Sequence, residues 1–104
     1  MANEKDRRLL LDSLIKEAVD CKVYFEPPEN IKMEYPCVVY NKKRGFAKYA
    51  DNKAYMKKIL YEITVIDKNP DSPYPQKIWE LDGISRENSF VHDNLHHDVF
   101  NIYF

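Results

Sequence analysis

The chain has 104 residues, 44% hydrophobic and 32% charged, and its 16 basic and 17 acidic side chains leave a formal charge of −1. A domain of this size buries only about 60–68% of its unfolded surface, which allows one core in a single domain spanning residues 1–104 and excludes a deep, enclosed active site. Mean hydropathy is −0.63 and the apolar runs are as short as Leu9–Leu11 and Cys37–Tyr40, so neither a spanning helix nor a signal-peptide core is expected, and the predicted setting is intracellular without a membrane.

The first predicted element is a helix from about Lys5 to Val19. Leu10, Leu11, Leu14, Ile15 and Ala18 recur at spacings of three and four and form one apolar face, with Asp6, Asp12, Lys16 and Glu17 on the rest. Asn3 or Asp6 is the expected cap. A short strand at Lys22–Phe25 is stopped by Pro27 and Pro28, which lack backbone donors. After a polar loop, Tyr35-Pro36 leads into a second strand, Cys37-Val38-Val39-Tyr40, rich in β-branched and aromatic residues.

A longer strand is predicted at about Tyr55–Asp67. Ile59, Tyr61, Ile63 and Val65 alternate with Lys58, Leu60, Glu62 and Thr64, which places the first set on the face toward the helix. In Asn69-Pro70-Asp71-Ser72-Pro73, Asp71 or Ser72 can accept a bond from an orphan amide and Pro73 suits a first helical turn. The short helix that follows runs to about Leu81, before Gly83. Two closing strands, Ile84–His92 and Leu95–Phe104, turn at Asp93-Asn94, and the last of them puts Phe100, Ile102 and Phe104 on one face. The expected fold is α+β: an antiparallel sheet of about four to five strands, both helices on one face, and an extended basic hairpin or loop.

Chemical motifs are sparse. Cys21 and Cys37 stand alone, without a CxxC or a Cys/His framework, and are read as buried or half-buried free thiols. Asp67, Asn69 and Asp71 have the spacing of the first three ligands of an EF-hand loop. Its sixth position would be Ser72 instead of Gly and its twelfth Ile78 instead of Glu, so a capped turn is the better reading. His92, His96 and His97 cluster beside Asp93 and Asp98, yet His96 and His97 are adjacent in a strand and point to opposite faces. No metal, cofactor or catalytic residue is expected from these patterns, and two glycines cannot build a phosphate cradle.

Charge is distributed unevenly. From Lys42 to Lys58 the residues Lys42, Lys43, Arg44, Lys48, Lys53, Lys57 and Lys58 face the single acid Asp51, a net of +6, and the rest of the chain carries −7. From Trp79 to Phe104 the acids Glu80, Asp82, Glu87, Asp93 and Asp98 face Arg86 alone, a net of −4. Three readings fit the basic segment. With Phe46, Tyr49 and Tyr55 interleaved it offers phosphate contacts and stacking to a nucleic acid; it is a solvated extension; or it meets an acidic surface on a neighbouring subunit, a head-to-tail contact of the kind that closes rings.

The run Val23-Tyr24-Phe25-Glu26-Pro27-Pro28 with Asn30, then Met33-Glu34-Tyr35-Pro36-Cys37-Val38-Val39-Tyr40, resembles a family of small tail-completion proteins of long-tailed bacteriophages and prophages of Gram-positive bacteria. Ala50-Asp51-Asn52-Lys53 with Tyr55, the run from Thr64 to Ser72, and the run from Asp93 to Phe100 continue the likeness in order, over roughly residues 7 to 104. Within that family the nearest class is the tail terminator. The resemblance implies helices packed on an antiparallel sheet and a six-membered ring on the finished tail tube that stops addition of tube subunits. It implies as partners other copies of the chain, the major tail tube protein and the head-completion or stopper protein, with DNA passing through the lumen unread. The implied location is the head–tail junction of the virion, assembled in the host cytoplasm. A head-side stopper or adaptor is the alternative within the same connector. Lys42, Lys43, Arg44, Lys48, Asp51, Asn52 and Lys53 are then the expected subunit or tube contacts, and Glu80, Asp82, Glu87, Asp93 and Asp98 the complementary acidic face.

Overall fold

The computed structural model describes residues 4–49 and 57–104, and for residues 44–49 and 57 the backbone alone. Seven elements follow in order: α1 (Glu4–Ala18), β1 (Lys22–Phe25), β2 (Cys37–Tyr49), β3 (Lys57–Asp67), α2 (Tyr74–Trp79), β4 (Ile84–His92) and β5 (Leu95–Tyr103). The strands form one five-stranded sheet in the order β1-β2-β3-β5-β4.

The fold is α+β as expected, with a mixed sheet. β1 runs parallel to β2, from Lys22↔Cys37 to Phe25↔Tyr40, whereas the β2–β3, β3–β5 and β4–β5 pairs are antiparallel. The cause is local. Pro27 and Pro28 prevent a tight reversal after Phe25, so the chain travels back along residues 26–36 before starting β2 in the same direction. Glu26 closes the end of this pair: its amide donates to the Tyr40 carbonyl at 3.0 Å, and its Oε2 accepts from the Lys42 amide at 3.1 Å. A carboxylate thus takes the place of a backbone carbonyl where β1 stops.

Both helices lie on one face. Leu11, Ile15 and Val19, together with Ile78 of α2, close over Val38, Tyr40, Tyr61, Ile63, Val65, Phe100 and Ile102 in a single buried cluster. Strand period two explains which strand residues take part, since Tyr61↔Ile102 and Ile63↔Phe100 are cross-strand neighbours on that face. Ile59 and Phe104 pack against its border.

The apolar stripe of α1 is wider than the surface that covers it. Leu11 and Ile15 are fully buried, but Leu10 is 57% and Leu14 41% exposed. The five-residue face expected from periodicity is therefore half core and half open flank. Asp6 lies inside the first turn instead of capping it, and Asn3 is outside the described residues.

α2 starts one residue later than its sequence signals indicated. Pro73 is the N-cap, Pro75 occupies the first turn and is buried, and Ser72 Oγ accepts from the Tyr74 amide at 3.4 Å. Upstream, Asp67 Oδ1 accepts from the Asn69 amide at 3.1 Å and Asn69 Oδ1 from the Asp71 amide at 3.0 Å. These carboxylate and amide oxygens are spent on successive turns of their own backbone, which is the capped turn read from the sequence.

The β4–β5 reversal has Asp93 at φ 51° and Asn94 at φ 62°, both left-handed, as a two-residue type I′ hairpin requires. Asn94→Ala is expected to cost about 1 kcal/mol, measurable as a lower urea midpoint at unchanged m-value.

β2 continues well past the expected Tyr40. Its register with β3 is regular to Lys42↔Tyr61, breaks, and resumes from Ala47↔Ile59 to Tyr49↔Lys57. The tip of the expected basic hairpin, including Asp51, Asn52, Lys53 and Tyr55, lies outside the described residues.

Candidate functional site

Two of the basic candidates are tied into the domain. Lys42 Nζ lies 3.1 Å from Glu4 Oε2 and joins β2 to the first turn of α1, and Lys43 Nζ lies 3.4 Å from Glu62 Oε2 across the strand pair. Arg44 and Lys48 belong to β2 by their backbone, and Asp51, Asn52 and Lys53 are outside the described residues.

The acidic candidates separate into four places. Glu80 and Asp82 flank Leu81 just after α2 and are exposed. Asp98 forms a bridge of 2.7 Å to Arg86 and also accepts from Ser89 Oγ, while the Arg86 guanidinium stands 5.0 Å from the Trp79 ring. That pair is an internal brace between β4 and β5. Glu87 accepts from Ser85 Oγ at 2.7 Å at the irregularity of β4, and Asp93 is at the hairpin turn. β4 starts opposite Ile102 and ends opposite Leu95, so its length separates Asp93 from Asp82 by roughly 27 Å. The structure brings together Glu80 and Asp82 and leaves the others apart.

Glu80 and Asp82 form the rim of a pocket that sequence reasoning missed. It measures about 390 Å³ between α1, residues 80–82 and the end of β5, and is lined by Leu11, Leu14, Leu81, Ile102 and Phe104. The signal was present in the sequence as the surplus width of the α1 stripe. Periodicity reports how wide an apolar face is and not how much of it the rest of the chain covers.

A second missed feature is the polar clamp beneath α1. Tyr40, with no exposed surface, donates its hydroxyl to Asp12 Oδ1 at 2.6 Å and accepts from Arg8 at 3.3 Å, and Lys16 bridges Asp12 Oδ2 at 2.7 Å. The Arg8 guanidinium also stands 4.4 Å from the Phe25 ring. Burial, and then the bond to Asp12, push the Tyr40 hydroxyl from 10.0 up to about 12. Burial opposes ionisation of Asp12, but Lys16, Tyr40 and Arg8 outweigh it and hold the carboxyl below its ordinary value.

The signs of the linkage follow. A raised Tyr40 contributes stability that is complete below pH 10 and is lost as pH climbs toward about 12. A lowered Asp12 contributes stability present above pH 3.8 and lost as pH falls through its folded value. Tyr40→Phe should shrink the alkaline loss in a pH series of urea midpoints. A residual loss remains from Cys37, whose thiol is raised to about 12.

Burial is the main cause for Cys37, with Cys21 and Asp67 adding to it, and burial beside Asp67 and Asp20 raises Cys21 as well. Both thiols are free. A raised pKa is the reverse of what an activated cysteine requires.

The histidines are placed by strand alternation. His97 stacks on Phe90 with ring centroids 4.7 Å apart, its Nδ1 is 3.0 Å from the Leu95 carbonyl, and His92 meets it edge-on. His96 is on the opposite face, in register with Asp67. Among the described residues no three His, Cys, Asp or Glu side chains are grouped to hold a metal ion, and no helix is long and apolar enough to cross a membrane.

The face of the sheet away from the helices is buried at Cys37 and Ile66 and becomes exposed toward the β4 edge. Away from the helices, rows such as Val39–Thr64–Val99 and Cys37–Ile66–His97–Phe90 cross the strands. β4 has β5 as its only strand neighbour among the described residues and is exposed along eight of its nine residues, Phe90 and Val91 among them. No protein-family model matches the chain, and no curated protein sequence matches it.

Proposed function

We propose that the protein is a structural subunit of a phage tail: a terminator that joins with its own copies into a ring, caps the tail tube and presents it to the head-completion proteins. The carrying observation is β4, a nine-residue edge strand exposed along eight residues and bearing Phe90 and Val91. Monomeric proteins blunt such edges with charge, proline, bulges or a covering element. In β4 the charges, Arg86 and Glu87, and the register irregularity between Arg86 and Asn88 sit in the first half, and Asn88-Ser89-Phe90-Val91-His92 is regular and carries no Lys, Arg, Asp or Glu. A surface of this kind suits a subunit that is covered in an assembly. The likeness of the sequence runs to tail-completion proteins supports the particular assembly.

Electron microscopy of phage lacking this protein tests the reading. Overlong or unattached tails are the expected outcome. Filled heads that leak DNA beside tails of normal length would overturn the terminator reading in favour of a head-side stopper. Salt-sensitive binding of the isolated protein to DNA, lost on neutralising residues 42–58, would favour a nucleic-acid-binding module instead.

A further inference from the structure

The pocket between α1, residues 80–82 and the end of β5 has the attributes of a receptor site. Its floor is apolar, from Leu11, Ile102 and Phe104; its walls, Leu14 and Leu81, are left partly exposed by the fold; and Glu80 and Asp82 stand on the rim. Among the described residues no ion pair holds Glu80 or Asp82, and three long cations of this region have other contacts. The Arg7 guanidinium stands 5.3 Å from the ring of Phe104, which lines the pocket. Arg86 is bridged to Asp98, and Lys77 is directed over the Tyr74 ring at 5.9 Å. An apolar cleft with two carboxylates at its mouth fits a segment that carries aromatic side chains between lysines.

This chain contains one such segment. Residues 44–56 hold Phe46, Tyr49, Tyr55 and Met56 among Arg44, Lys48 and Lys53, with Asp51 the only acid. The two basic residues just before it, Lys42 and Lys43, are held by Glu4 and Glu62 within their own domain, so the cationic supply for an external contact begins at Arg44. The last described rung of that hairpin, Tyr49↔Lys57, is at the end of the sheet where Phe104 exchanges backbone bonds of 2.9 and 3.1 Å with Ile59. Donor and receptor therefore emerge at one end of the molecule, at different positions across the sheet.

We infer that the pocket receives the 44–56 segment of a second copy of the chain, seating an aromatic or methionine side chain against Leu14, Leu81 and Phe104 while its lysines meet Glu80 and Asp82. The contact is heterologous, one surface against a different one, and such contacts close into a ring when the rotation allows. This deepens the ring proposed above and rests on it. Charge governs recognition at the rim and burial of the apolar side chain gives the contact its hold.

Zero-length carbodiimide coupling of carboxylates to lysines, applied to an equal mixture of unlabelled and 15N-labelled protein at its highest soluble concentration, tests the contact directly. The expected product joins the peptide holding Glu80 or Asp82 to the peptide holding Lys48 or Lys53, with both isotopes in one pair. Pairs of a single isotope only would place the segment in its own pocket and overturn the inference, as would the absence of that pair.

Sedimentation gives a second readout. Glu80→Lys with Asp82→Lys, both exposed, should weaken self-association about tenfold or more, a change of about 1.4 kcal/mol. Mixing that variant with Lys48→Glu/Lys53→Glu protein should restore part of it. Unchanged association in the rim variant would overturn the inference. Because these measurements use protein without phage, their failure alongside overlong tails in the deletion phage would sink the pocket contact and leave the terminator reading standing.

Discussion

Replacing Phe100 by alanine is expected to bring the domain close to unfolding. The residue has no exposed surface, sits on β5 between β3 and β4, and lies opposite Ile63 in the middle of the cluster that α1 closes. A buried Phe→Ala change costs about 3–5 kcal/mol, against a total of about 5–15 kcal/mol for a typical domain. Because β5 is an interior strand, the cavity opens beneath both neighbours and neither can collapse into it without losing its ladder. Removal of residues 100–104 should go further, since it also takes Ile102 and the two backbone bonds between Phe104 and Ile59, and no cooperative urea transition should remain. Val91→Ala, on the exposed edge, should stay within about 0.5 kcal/mol of the parent. A Phe100→Ala protein with the parent's urea midpoint would mean that the core is not organised around β5.

The same strand shows why the fold was legible from the sequence. Each strand residue has two choices of side, so Phe100 and Ile102 against Val99 and Tyr103 assign the faces of β5 unambiguously. The Asp93-Asn94 pair then sets the hairpin that brings β4 alongside. The direction of β1 was not legible, because the side-chain alternation of four residues is the same in either orientation. Pro27 and Pro28 bar a tight reversal, but where residues 26–36 then travel is set by the packing of the whole domain.

The site was less legible for a related reason. Formal charge along the chain counts Lys42, Lys43, Asp98 and Arg86 equally with the rest, whereas in space each already has a partner. Ion pairs between residues distant in sequence remove charges from a surface without altering the arithmetic. The α1 stripe misled in the opposite sense. Leu10 and Leu14 satisfy the helical period as well as Leu11 and Ile15 do, and only the tertiary fold leaves them partly uncovered, Leu14 beside residues 80–82.

Charge reversal within the basic segment should separate assembly from folding, provided that the lysines are chosen by their partners. Lys42→Glu would face Glu4, and Lys43→Glu would face Glu62; each replaces an attraction by a repulsion and lowers stability by up to about 1 kcal/mol. A fourfold change that included them with Arg44 and Lys48 would mix a stability effect with a binding effect. Lys48→Glu with Lys53→Glu leaves both of those ion pairs in place. The double variant should show the parent's urea transition and yet fail to cap tubes, so that phage carrying it make tails of uncontrolled length, as the deletion does. Normal tail length from a stably folded double variant would remove the basic segment from the capping contact. The ring would then have to close through β4, where Phe90→Lys and Val91→Lys would be the substitutions that abolish it.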